Sequence, residues 1–249
     1  MSNNPFNYFD EIVCINLIER NDRFQEMNVF FESYDIPATI YRRNRHHSDG
    51  MIGCFESHMQ VIHNAYHQGA NNILVFEDDV RCTMSKKKLH NIVSKCIPYV
   101  NRFAYFQFGY AVMPHQLLDY IMCPRIAPNI ALFAGNCAHA YCLNRLGMFR
   151  VVSTYYKSIQ NTHVDLFYLD LFRDSRACCV PMLFDQNFCT QSDNVKPTTF
   201  YYDALRSISC HSSKYAFMYW SSLVKYYYIH IAILTIVIIV IYKVWRHRK

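Results

Sequence analysis

Three short apolar runs, separated by two stretches with helical spacing, constrain this chain more than any other feature. Glu11–Asn16 (EIVCIN), Ala38–Tyr41 (ATIY) and Ile73–Phe76 (ILVF) have the length and composition of buried strands. Between the first two, LIERNDRFQEMNVFFESY sets Phe24, Met27, Phe31 and Tyr34 on one stripe, and Pro37 ends it. Between the second and third, Ile52, Phe55, Met59, Ile62 and Tyr66 mark the buried face of another helix, which stops near Gly69. Strands alternating with helices imply an α/β domain with a mostly parallel central sheet flanked by crossover helices.

Later segments continue the pattern. A helix is expected over Lys86–Cys96, a strand at 103–109, and two short strands in IALFAGNCAHAYCL with a turn at Gly135–Asn136. Helices at about Arg145–Tyr155 and Asp165–Arg173 then precede a strand at 177–181. With 52% hydrophobic residues in 249, the chain can bury a sizeable core, which argues against disorder. Its formal charge of +6 is scattered among YRRNR (41–45), SKKKLH (85–90) and WRHRK (245–249). No nucleic-acid motif accompanies these patches, so no nucleic-acid partner is expected; the first two suit an anionic small molecule such as a diphosphate. The 11 cysteines include no CxxC pair, which removes the usual structural zinc pattern and leaves reduced, mostly buried thiols.

The C-terminal end differs in kind. From Tyr226 the chain reads YYYIHIAILTIVIIVIYKVWRHRK, an apolar run with aromatic residues at both ends and a basic close. The expected organisation is an N-terminal tail (1–10), the α/β domain (11–199), a juxtamembrane spacer (200–224), a transmembrane helix (225–245) and a basic tail (246–249). Charge alone favours a cytosolic tail. The N-terminus, however, lacks an apolar leader, and the hydrophobic segment emerges only after the domain is made. A single-pass C-terminal anchor with a cytosol-facing domain is the favoured arrangement.

The strand Ile73–Phe76 ends in Glu77, Asp78 and Asp79. Three adjacent carboxylates repel one another and are costly to desolvate unless a cation or donors compensate. Residues two apart on an extended chain point the same way, so Glu77 and Asp79 converge while Asp78 faces away. Two converging carboxylates are hard oxygen ligands for Mg²⁺ or Mn²⁺ holding substrate phosphates; a solvated acidic turn is the plain alternative. The aspartyl-phosphatase pattern is absent, because Glu77 and Arg81 stand at its defining positions.

IVCINLIERNDRFQEM (12–27), followed by GMIGCFESHMQVIHNAYHQGANNILVFEDDV (50–80), resembles glycosyltransferase family 25. That family includes bacterial lipooligosaccharide galactosyltransferases and procollagen galactosyltransferases. AHAYCLNRLGMFRVV, HVDLFYLDLF and VPMLFDQNFCTQSDN are similar to later family segments in the same order, extending the likeness to Ile12–Asn194. The resemblance implies a GT-A type nucleotide-diphospho-sugar transferase fold and a UDP-sugar donor, often UDP-galactose. It also implies a divalent metal and inversion at the anomeric carbon.

On this resemblance Asp79 is the first metal ligand, with Glu77 as second and Asp78 assisting at the donor. Asp165 matches the acceptor-side Asp and is the candidate general base, with helix capping as its other possible task. Asp170 lies on a different helix face and is weaker. Asn16, Arg20 and Arg23 match the motif near the nucleotide; Ser57, His58 and Asp193 match the Ser-His and Ser-Asp elements. The acceptor is left open among a glycan, a lipid-linked glycan and a protein hydroxyl. A related transferase with another donor, and a catalytically inactive membrane-tethered sugar-binding or scaffold protein, stand as alternatives.

Overall fold

The structure is a computed structural model that describes residues 4–82, 84–113, 116–158 and 162–186. The expected spacer, transmembrane helix and basic tail, with Asp193, lie outside the described residues. Among the described residues no helix is long and apolar enough to cross a membrane.

A 3-10 turn at Pro5–Tyr8 leads into β1 (Glu11–Leu17), α1 (Asn21–Ser33), β2 (Thr39–Arg43), α2 (Gly50–His67) and β3 (Asn72–Glu77). Next come the short β4 (Val80–Arg81), α3 (Lys86–Val100), β5 (Tyr105–Ala111), α4 (Leu117–Met122), β6 (Arg125–Ala127) and β7 (Ile130–Ala131). The long β8 (Asn136–Asn144), α5 (Arg145–Ser158), α6 (Val164–Leu171), β9 (Arg176–Cys179) and β10 (Asp185–Gln186) complete the domain. Asp49 caps α2, its side chain accepting the Met51 amide at 2.7 Å.

Eight strands form one sheet in the order β2-β1-β3-β8-β5-β9-β7-β6, and β10 pairs separately with β4. The expected mostly parallel sheet is corrected to a mixed one. β1 runs parallel to β2 and β3, and β5 to β9. β8, however, is antiparallel to both β3 and β5, and β7 to both β6 and β9. The segment 130–143 is therefore not a local hairpin: β7 joins β9 while β8 threads between β3 and β5. The buried Gln107 side chain takes both backbone groups of Gly135, its Oε1 accepting the amide at 2.9 Å and its Nε2 donating to the carbonyl at 3.0 Å. It thereby satisfies the turn that admits β8, and only long-range contacts specify such pairing.

The pleat divides the core in two. Ile12 and Cys14 of β1 and Leu74 and Phe76 of β3 pack with Met27 and Phe31 of α1 and Leu89 and Ile92 of α3. Val13 and Ile15, with Ile73 and Val75, face Phe55, Met59 and Ile62 of α2, together with α5 and α6. Each buried side chain of this size contributes about 1.5–3 kcal/mol. The expected N-terminal tail is also corrected: Phe6 and Phe9 are buried in the first of these cores. The nine cysteines among the described residues form no disulfide, and Cys178 and Cys179 are fully buried.

Gly147 opens α5 against the β5 approach, where a Cβ would lie 2.0 Å from the Ala104 carbonyl oxygen. Gly69, after α2, has φ +90° but open space around it. Gly147→Ala is expected to cost about 1–3 kcal/mol through overpacking, and Gly69→Ala about 1 kcal/mol through backbone strain. Denaturation midpoints of the two variants check the ranking, which reverses if the Ala104 contact relaxes freely.

Candidate active site

The chain leaves β1 through α1 toward β2 on one side, and β3 lies on the other side of β1. The crevice at the carboxyl ends of β1 and β3 is thus a topological switch point, the usual ligand position in such sheets. A cavity of about 110 Å³ opens there. Ile15 and Leu17 of β1, Arg23 of α1 and the triplet Glu77–Asp79 line one part of it. Arg45 and His46 of the loop after β2, and Cys54, Ser57 and His58 of α2, line another.

The alternation that splits the core runs as far as Glu77, where β3 ends, and Asp78 and Asp79 form a turn rather than the expected extended continuation. Asp78 follows Leu74 and Phe76 toward α1 and is buried. Its Oδ1 accepts from Arg23 Nη1 at 2.6 Å, and its Oδ2 from Asn16 Nδ2 at 2.7 Å. Burial is the largest influence on this carboxyl and pushes its pKa above the ordinary value, while Arg23 and Asn16 pull the other way. Asn16 also donates to the Arg20 carbonyl at 3.2 Å and accepts from Arg42 Nε at 3.2 Å. Asp78, Asn16 and Arg23 therefore form an internal network joining β1, α1, β2 and β3.

Glu77 and Asp79 point the opposite way. Gln186 Nε2 donates to Glu77 Oε2 at 2.9 Å and to Asp79 Oδ1 at 3.1 Å. The amide thus stands where two converging carboxylates would otherwise meet a cation. Its own Oε1 is buried without a hydrogen-bond partner. Two carboxylates beside an unpartnered amide oxygen offer a hard donor set that fits Mg²⁺ or Mn²⁺.

On the α2 side, His58 is fully buried, with Nδ1 2.8 Å from Tyr141 Oη and Nε2 3.4 Å from Glu77 Oε1. Tyr141 Oη lies 3.0 Å from Tyr168 Oη, and burial raises both phenols well above their ordinary pKa. Ser57 turns its hydroxyl back to the Gly53 carbonyl at 2.5 Å. Gly53 itself lets the loop close over α2, since a Cβ there would come within 2.7 Å of His46 Cβ.

Of the remaining candidates, Arg20 pairs with Asp22 at 2.9 Å, and neither Arg20 nor Asn16 lines the cavity. Asp165 also lies off the lining, in the first turn of α6. Its Oδ2 accepts the Cys137 amide at 2.9 Å, at a residue with φ +71°, and its Oδ1 accepts the Leu166 amide at 2.9 Å. His163 rather than Asp165 occupies the N-cap of α6. Asp170 pairs with Arg173 on the exposed face.

Three participants were not anticipated. Arg45 belongs to a basic patch read only as a whole, and Gln186 to a segment singled out for its likeness rather than its geometry. Cys54 stands four residues before His58, one helical turn away, a spacing legible in the letters once α2 is accepted as a helix.

Residues 3–120 match the model of glycosyltransferase family 25 (LPS biosynthesis protein). The matched segment is just under half of the chain, and it contains β1 to β5, the triplet and every cavity residue named above. The match supports a glycosyltransferase. Among curated proteins none matches the chain. Solved structures with similarity include A197 from STIV, 9% identical at a TM-score of 0.38 over 77% of this chain and 99% of that one. The glycosyltransferase GlyE of Streptococcus pneumoniae TIGR4 is 8% identical at a TM-score of 0.36, over 68% of this chain and 45% of that one. Mouse xyloside xylosyltransferase 1 in its apo form is 8% identical at a TM-score of 0.31, over 67% of this chain and 76% of that one.

The opposed facing of the triplet has a measurable consequence. Removing one partner of a buried ion pair costs about 3–5 kcal/mol, so Asp78→Ala is expected to lose about that much stability in urea. Asp79→Ala, which releases only a partly exposed carboxylate, is expected to lose about 1 kcal/mol or less. Equal losses would show that the Asp78 network does not hold the strand end.

Proposed function

We propose that the chain is an inverting, metal-dependent glycosyltransferase with a GT-A type fold, moving a hexose from a UDP-sugar, galactose first, to a hydroxyl acceptor. The observation that carries this reading is the pair Glu77 and Asp79, converging on Gln186 at the mouth of a switch-point cavity that Arg45 also lines. Glu77 and Asp79 are the residues that hold Mn²⁺ or Mg²⁺, with Gln186 turning its amide aside or presenting its oxygen. Bound there, the ion supplies charge neutralisation for the departing diphosphate. Arg45 offers a planar donor fork for the phosphates, and Ile15 and Leu17 give the cavity an apolar wall. Arg23 and Asn16 act on the donor indirectly, by fixing Asp78 and so the aim of its two neighbours.

Transfer forms a bond from the acceptor oxygen to the anomeric carbon as the bond to the diphosphate breaks, and the hydroxyl proton passes to a base. Asp165 is the proposed base, on the strength of the HVDLF resemblance. The acceptor is a glycan, a lipid-linked glycan or a protein hydroxyl. The segment 225–245 is proposed to anchor the enzyme in a membrane, with the domain facing the cytosol. The bond from the Cys137 amide to Asp165 favours a second reading, in which Asp165 only holds the entry to β8 and the chain binds sugar without turning it over.

UDP release from a panel of UDP-sugars by the full chain tests the first reading. Turnover of one donor with Mn²⁺, abolished by chelator and by Asp79→Ala, is the expected result. Failure of folded protein to bind or cleave any donor would overturn it. Asp165→Asn separates the two roles: loss of a base lowers kcat by about 10²–10⁴-fold with donor affinity kept, whereas loss of a turn contact lowers the melting temperature and leaves kcat nearly intact.

A further inference from the structure

We infer that Cys54, His58 and Glu77 form a binding site for a zinc-class ion, which shares Glu77 with the Glu77–Asp79 pair assigned to the diphosphate side. One ligand atom from each, the Cys54 thiol, the His58 imidazole and the Glu77 carboxylate, lies within 4.8 Å of the other two. Cys54 and His58 are four residues apart on α2, so both project from one face of the helix toward the end of β3.

The decisive observation is His58 Nε2. It is buried, has no hydrogen-bond partner and sits 3.4 Å from Glu77 Oε1. That separation is long for an N–H···O bond, which prefers about 2.9–3.0 Å. It is the separation of two ligands on a tetrahedral ion, which for bonds of about 2.0 Å comes to about 3.3 Å. A thiolate on the same ion lies about 3.6 Å from the imidazole nitrogen, so Cys54 has at most ~1 Å to close, within reach of its own χ1 rotor.

The surroundings suit a ligating histidine. With its Nδ1 proton donated to Tyr141 Oη at 2.8 Å, Nε2 presents its lone pair to Cys54 and Glu77. Tyr141 is braced in turn by Tyr168 at 3.0 Å, the outer support that metal-bound imidazoles usually have. Thiolate and carboxylate together balance a divalent charge, and the thiol proton leaves to solvent on binding. All three residues line the cavity, which gives the ion an entry path and a fourth position open to it. The donor types select zinc over manganese, since sulfur and imidazole suit the softer ion and all-oxygen sets the harder one.

Glu77 links this site to the reaction. Its Oε1 faces His58 and its Oε2 accepts from Gln186 beside Asp79, so one carboxylate serves two places at once. Zinc on Oε1 fixes the rotamer that aims Oε2 at the diphosphate side.

The test uses the full chain stripped of metal and titrated with Co²⁺. The expected result is a thiolate-to-cobalt charge-transfer band that saturates at one equivalent and is displaced by Zn²⁺ but not by equimolar Mn²⁺. Cys54→Ser abolishes the band, whereas Asp79→Asn keeps it. Zn²⁺ also raises the melting temperature of the wild type and not of Cys54→Ser, whose fold is checked by circular dichroism. Absence of the band in the wild type at saturating Co²⁺, or its persistence in Cys54→Ser, overturns the proposal. Neither readout depends on sugar transfer, so a chain that never releases UDP leaves this result standing.

Discussion

The buried carboxylate of Asp78 meets Arg23 and Asn16 where β1, α1 and β3 converge, and the neighbouring groups take their directions from it. A charge in that position is costly without partners, and burial does raise its pKa. Two charge-assisted bonds offset the cost, and removing either partner would strand the other. β3 ends at Glu77 and Asp78–Asp79 form a turn; with Asp78 held toward Arg23 and Asn16, Glu77 and Asp79 lie on the other side, where both accept from Gln186. The like charges that look unfavourable in a row are thereby separated onto two sides of the strand.

The pleat of β3 ties the candidate site to the two cores. Leu74, Phe76 and Asp78 belong to the side covered by α1 and α3; Ile73, Val75 and Glu77 belong to the side covered by α2. Glu77 accordingly meets α2 at His58, and behind His58 the hydroxyls of Tyr141 and Tyr168 form a buried relay. β8 carries Tyr141 into register with Val75, one pair from the strand end. The reversed strand that makes the sheet mixed therefore also supplies the support for the histidine. Gln186, reaching in from β10 through its pairing with β4, closes the opposite side of the two carboxylates.

The basic and polar residues near the strand ends divide between architecture and ligand. Arg42 is spent on Asn16, on the Ile18 carbonyl at 2.6 Å and on the Phe24 ring at 4.4 Å. Arg45, two residues beyond the end of β2, lines the cavity instead. Asp165 shows the same ambiguity. The resemblance suggested a base and the helix boundary a cap, and the Asp165 carboxylate holds a strained backbone amide on another element. Sequence alone separated neither Arg42 from Arg45 within their patch nor a cap from a base at Asp165, because residue type and spacing do not reveal which neighbour a long side chain meets.

The letters by themselves determined the helices and strands of the N-terminal half, since apolar periods of 3.6 and 2 follow from the geometry of each element. They also anticipated that Asp78 faces away from Glu77 and Asp79, although a turn at Asp78–Asp79, not an extended strand, produces that facing. The place of β8 between β3 and β5, the burial of Phe6 and Phe9, and the approach of Gln186 were decided only by the tertiary structure. So was the meeting of Cys54 and His58 with Glu77. Each depends on which distant segments share a face, and that is settled by the packing of the whole core rather than by any window of the sequence.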